Sequence, residues 1–329
     1  MQVSAKTSDD RRRGGITALA AAWLALLAVV TAGVTYVVLA RQATPPLDAP
    51  LLSVTLRAEP PAGTAESPET AGGETGAQPA AAGDGHLPAW RQFAALYENT
   101  GDRPRIAIVM TGLGLSDKAT EAAIENLPPS VTLSFTPYAG KLDQWTALAR
   151  GNGHEVMLDL PMEPVTYPDD DPGPQTLLTQ LDPAENRQRL LWVLGRAQGY
   201  VGVAAVMGSR FSGSEAHLEP ILREVKAHGL MFLDNRASES SVAARLAESL
   251  HLPHAVSDRT LDGGHANRAT IDARLAQIER VALSDGASVA IARPYPATIE
   301  HLREWARTLD ARGFALVPVT ALAQGEESP

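Results

Sequence analysis

The sequence predicts an α/β domain, a mostly parallel sheet covered by helices, over residues 103–322. Two observations predict it. Short apolar runs alternate seven or eight times with longer segments of helical character. Several of those segments also have legible ends. Asp182-Pro183-Ala184-Glu185 reads as a capping box with proline in the first turn, and Gly151, Gly229 and Gly313 stand where C-terminal glycines belong. A barrel and an open doubly wound sheet both fit this alternation. In either, function gathers at the C-terminal strand ends and the loops after them.

The strand-like runs are 106–111, 131–136, 155–160, 201–207, 231–234, 254–256, 288–292 and 315–319. The helical segments between them are 116–126, 141–150, 183–198, 215–228, 240–250, 270–284 and 298–312. Ahead of the domain, residues 87–102 form a short linking segment. Trp90, Phe93, Ala94 and Tyr97 there fall at i, i+3, i+4 and i+7, the spacing of one helix face.

Residues 1–86 have a different character. Arg11, Arg12 and Arg13 end a basic stretch, residues 1–13, and precede an uncharged run, 14–40. That run exceeds the roughly 20 residues a helix needs to cross a bilayer and the about 7–15 of a signal-peptide core. It reads as an uncleaved, single-pass transmembrane anchor. With only Arg41 close behind it, the charge bias places residues 1–13 in the cytoplasm and the folded domain in the periplasm of a bacterial-type inner membrane. Residues 41–86 are rich in Pro, Ala, Gly, Thr and Glu and read as a disordered linker. A flexible chain of about 40 residues has an r.m.s. span near 35 Å. Residues 323–329 form a tail.

Composition excludes several classes. The chain has no cysteine among its 329 residues, so disulfides, thiolate metal sites and a cysteine nucleophile are absent. A net charge of −10 argues against nucleic acid as a partner. Thr111-Gly112-Leu113-Gly114 is a poor dinucleotide fingerprint, because Asp117 replaces its third glycine. Ser209, in Met207-Gly208-Ser209-Arg210-Phe211, is not in a G-x-S-x-G elbow.

The strand ends carry the residues with chemistry. They include Thr111 after the first, Asp159 and Glu163 after the third, Ser209 and Arg210 after the fourth, and Asp234 after the fifth. Asp262 follows in a loop, and Arg293 precedes Pro294 after the last long strand but one. The segments I-A-I-V-x-x-x-L-G-L-S, L-P-x-x-V-T-L-S-F-x-P-Y-A, G-H-E-V-x-L-x-L-P-M-E-P, M-G-S-R-F, G-L-x-F-L-D and R-P-Y-P occur in this order between residues 105 and 320. In them the sequence resembles the divergent polysaccharide deacetylase family. The resemblance implies a distorted (β/α) barrel and ancestry among metal-dependent carbohydrate deacetylases.

The same resemblance exposes substitutions. Thr111 and Gly112 stand where the family pattern has two aspartates, and Asp159 where it has a histidine. Ala204-Ala205-Val206 replace Asn-Asn-His, and Arg293 replaces another histidine. A catalytic zinc takes three protein ligands, mostly histidine and carboxylate. Thr111, Gly112 and Val206 supply none, and the fixed charge of Arg293 opposes a divalent cation. No H-x-x-x-H or H-E-x-x-H spacing occurs. The expectation is therefore a family member with neither metal nor cofactor. Its cleft of Thr111, Asp159, Glu163, Ser209, Arg210, Asp234, Asp262 and Arg293 binds a cell-envelope glycan or an envelope protein, and Asp159 pairs with Arg293. The alternative is an active deacetylase. In it Asp159, Glu163, Asp234 and Asp262 converge on a divalent metal ion, with Asp159 and Asp234 as the catalytic acids.

Overall fold

The computed structural model describes residues 87–97, 101–264 and 267–325. The run expected to form an anchor (14–40), the segments on either side of it (1–13 and 41–86) and most of the tail lie outside these residues. Among the described residues no helix is long and apolar enough to cross a membrane.

The domain is a curled parallel sheet with helices on its outer face. Its strands are β1 (Arg105–Leu113), β2 (Thr132–Phe135), β3 (Val156–Met162), β4 (Gly202–Met207), β5 (Met231–Asp234), β6 (His254–Val256), β7 (Arg259–Thr260), β8 (Ala287–Ala292) and β9 (Ala315–Leu316). The sheet order is β6-β5-β4-β3-β2-β1-β8-β7, and β9 pairs with the start of β1. The pairings between these strands are all parallel. The two edges meet within two residues. Ser257 N donates to Asp234 O at the end of β5, and Asp258 N donates to Val289 O on β8, each at 2.8 Å. Asp258 Oδ2 then accepts from Val289 N at 2.9 Å. Residues 257–262 carry only turn signals in sequence; the two-residue strand inside them is too short to show in periodicity.

The helices are α1 (Ala89–Gln92), α2 (Asp117–Asn126), α3 (Leu142–Gly151), α4 (Pro183–Leu194), α5 (Glu215–Ala227), α6 (Ala243–Ser249), α7 (Arg268–Asp285) and α8 (Pro296–Leu309). Local chemistry explains their starts. Ser116 Oγ accepts from Ala119 N, Asn267 Oδ1 accepts from Thr270 N, and Asp182 with Glu185 completes the capping box around Pro183. Strand alternation divides the core in two. Ile106, Ile108 and Met110 face the helices, whereas Ala107 and Val109 face the interior with Met157, Leu233 and Ile291.

The N-terminal end of the barrel is sealed. Val317 N donates to Ile106 O, Val319 N to Thr132 Oγ1, and Gln324 pairs backbone-to-backbone with His254. Trp90 and Phe93 pack on the interior cluster beside this segment. The helix expected through residue 97 stops at Gln92. Ala95 N donates to the buried Glu155 carboxylate at 3.3 Å, which takes the chain out of the helical hydrogen-bond ladder. The predicted strand 315–319 is likewise cut short. It becomes β9 and then a 3-10 turn, Val319–Leu322, because Thr320 turns inward to bond Glu155.

Candidate functional site

A cleft of about 940 Å³ opens at the other end, where the strands terminate. Thr111, Gly112, Asp159, Val206, Met207, Asn235 and Arg293 line its floor; it continues outward past Leu115, Lys118 and Ala122 of the β1–α2 side and Tyr295, Ile299 and Arg303 of the β8–α8 side.

Asp159 is the buried acid of that floor, 3% exposed. Its inward position follows from alternation along β3, since Met157 faces the interior below it. Ser134 Oγ donates to Oδ1 at 2.5 Å and Gly112 N to Oδ2 at 2.9 Å. Burial pushes the carboxyl up to about 7, against the opposing pull of these two donors and of the nearby Arg293 charge. Gly112 adopts φ +82°, which favours glycine and aims its N–H at the carboxylate. The stretch 111–112, which carries no acid of its own, thus supplies a backbone donor to the Asp159 carboxylate.

Asp159 and Arg293 form no ion pair. Both carboxylate oxygens are already engaged, and the Arg293 guanidinium makes no hydrogen bond or ion pair among the described residues. The Arg293 backbone is nevertheless fixed: its N–H donates to Asp262 Oδ2 at 2.7 Å, and Pro294 follows. Thr111, also on the floor, donates weakly to Ala292 O at 3.4 Å.

Five of the eight residues expected in the cleft do not line it. Glu163 is buried, accepts from Thr179 N and Oγ1 at 2.6 and 2.7 Å, and meets Arg210 at 3.4 Å. Arg210 also donates to Val165 O. Ser209 Oγ accepts from Val165 N at 3.0 Å. These three residues tie the β3–α4 loop to the β4–α5 loop. Asp234 accepts from Arg236 N and Ser241 Oγ, bracing its own turn. Asp262 holds Arg293 N and Thr298 Oγ1 through one oxygen, and burial raises its carboxyl. Each acid is spent on backbone because these loops bury amides that need acceptors.

The acidic metal site considered as an alternative is not formed. Among the described residues no three His, Asp or Glu side chains gather closely enough to hold a metal ion. Around Asp159 the cleft offers Thr111, Gly112, Val206 and Arg293, a donor set that does not fit a divalent cation.

Sequence reasoning missed several cleft residues. Ser134, buried behind the cleft as a donor to Asp159, was legible as the middle of the inward set Thr132, Ser134, Thr136 on an otherwise apolar strand. Asn235 donates to Met207 O at 2.9 Å and holds Met207 at φ +57°, a left-handed conformation rare for methionine. Tyr138 is braced by Gln175 N, which donates to its hydroxyl at 3.0 Å, and by the Trp192 ring 5.8 Å away. Gly173 leaves room for the Tyr138 ring; a Cβ there would lie 2.5 Å from it.

A curled parallel sheet with a strand-end cleft defines a barrel of the kind that serves carbohydrate-active proteins among many others. Residues 108–323 match the divergent polysaccharide deacetylase family model, and the chain belongs to that family. It is 22% identical over 200 residues to the uncharacterized protein YibQ of Escherichia coli (strain K12) and 24% identical over 206 residues to an uncharacterized protein of Haemophilus influenzae. The first match covers 61% of each chain; the second covers 62% of this chain and 72% of the relative. Its fold is similar to the crystal structure of uncharacterized protein ATU2773 from Agrobacterium tumefaciens C58. That similarity has a TM-score of 0.72 and 35% identity, over 75% of this chain and all of the other.

Proposed function

We propose that this chain binds a cell-envelope glycan in the strand-end cleft and does not carry out metal-dependent deacetylation. The observation that carries the reading is the surroundings of Asp159. Among the described residues it is the sole carboxylate on a floor that otherwise presents Thr111, Gly112, Val206 and the Arg293 guanidinium, which has no partner there. Polarising an acetyl carbonyl and generating hydroxide at neutral pH needs a multiply ligated cation. Among the described residues this floor supplies no second carboxylate and no imidazole to hold one.

A glycan suits the remaining surface. The cleft extends beyond the barrel mouth and mixes apolar walls with separated polar groups. Tyr138, Tyr295 and the prolines 172, 294 and 296 offer flat faces, while Asn235, Thr136 and Ser116 offer hydrogen bonds to hydroxyls. The uncharged run 14–40 and the preceding arginines support tethering of the domain on the periplasmic side of an inner membrane. Zinc, manganese and magnesium added in turn to the purified full chain should give no acetate release from acetylated peptidoglycan glycan, and elemental analysis should find no stoichiometric metal. Metal bound one-to-one, together with acetate release abolished by Asp159→Ala, would overturn the proposal.

A further inference from the structure

Three cationic side chains line the cleft without an acceptor among the described residues: the exposed Lys118 on α2, and Arg293 and Arg303 on the β8–α8 side, which carry the argument. Arg293 stands beside the buried Asp159 yet is not paired with it, because Ser134 and Gly112 take both carboxylate oxygens. Its backbone is immobilised between the Asp262 carboxylate and Pro294, so the guanidinium projects from a fixed point at the end of β8. Further out, on α8, the Nε of Arg303 is buried with no hydrogen-bond partner. A buried donor without an acceptor is uncommon in folded proteins, and in a cleft wall it marks a place for one.

The acids of the same cleft do not meet this demand. Asp159 is engaged, Asp171 accepts from Gly173 N, and Glu300 makes no ion pair with either arginine. The lining runs from the barrel floor at Asp159 and Met207 to the seam between α2 and α8 at Asn126 and Arg303, a course suited to a linear chain.

We propose that the cleft selects a carboxylate-bearing oligosaccharide, with a ligand carboxylate on the guanidinium of Arg293 and a second ligand oxygen on Arg303. Guanidinium matches carboxylate in a two-point fork, a charge-assisted contact that a neutral hydroxyl cannot equal. The inference rests on the glycan-binding reading above and adds the class of glycan.

Calorimetry on the full chain in detergent tests it with three probes of one backbone. They are an N-acetylglucosamine–N-acetylmuramic acid tetrasaccharide, the same tetrasaccharide with its carboxylates methyl-esterified, and chitotetraose. The acidic probe should bind about tenfold or more tighter than the other two, the effect of one charge-assisted contact. Arg293→Gln should erase that preference, so that the acidic probe and its methyl ester bind the variant equally, and Arg293→Lys should restore part of it. Equal affinity for acid and ester overturns the inference without any variant and leaves the glycan-binding reading standing. No binding of any of the three sugars overturns both. Inorganic phosphate displacing the acidic probe at equal concentration would make this a general anion site and sink the carboxylate assignment.

Discussion

At the scale of single residues, Asp159 carries the most unusual chemistry. Its carboxyl, lifted from 3.8 to about 7, holds a proton more tightly in the folded chain than in the unfolded one. Its contribution to stability is therefore complete below about pH 4 and is lost as pH rises toward 7, by up to about 4 kcal/mol. In Asp159→Asn the amide oxygen accepts from Gly112 N and the amide nitrogen donates to Ser134 Oγ, with no charge to bury. Urea unfolding at pH 4 and pH 8 should show the variant losing less stability over that interval than the wild type, and being the more stable at pH 8. The other buried acids are common to both proteins and cancel in the difference. Parallel profiles would refute the account. The neighbourhood of this residue was only half legible in sequence. The side-chain alternation of β3 places Asp159 inward, but its donors come from β2 and from the backbone of Gly112, which are remote in the chain.

At the scale of elements, Glu155 joins three parts of the fold. It immediately precedes β3, is fully buried, and accepts from Thr132 Oγ1, Ala95 N, Thr320 N and Thr320 Oγ1. Burial raises its carboxyl while these donors lower it. Glu155→Ala strands four donors in a sealed barrel end, and should cost about 3 kcal/mol. Amide exchange at Ala95 and Thr320 should rise more than at β8, with Glu155→Gln milder because its amide keeps accepting capacity. Uniform exchange across the sheet would instead indicate general loosening. This latch also explains where sequence reasoning missed element lengths. The apolar spacing around Trp90 reads as three helical turns, yet the bond from Ala95 to Glu155 ends the helix after one. The capping box at Asp182 was legible because cap and helix lie within four residues.

At the scale of the whole molecule, the absence of cysteine makes the proposed topology directly measurable. Ser284→Cys, at an exposed position late in α7, gives the chain a single thiol. In spheroplasts, a membrane-impermeant maleimide should label that thiol without lysis, and the protein should stay with the membrane through alkaline extraction. Labelling only after lysis would place the domain on the cytoplasmic side and overturn the positive-inside assignment of residues 1–13.

The sequence by itself determined the alternating α/β order and the family, because the one is written in local periodicity and the other in short motifs of fixed order. The tertiary structure alone decided which polar residues share the cleft. Glu163, Ser209, Arg210, Asp234 and Asp262 stand near strand ends in the sequence, but buried loop amides and neighbouring side chains claim them. Asn235 and Arg303 line the cleft, and the buried Ser134 bonds Asp159 behind it, from elements whose approach depends on how far the sheet curls. The two sides of the curled sheet are bridged at Ser257 and Asp258, whose backbone N–H groups bond β5 and β8 in turn, a long-range contact that no local pattern of residues encodes.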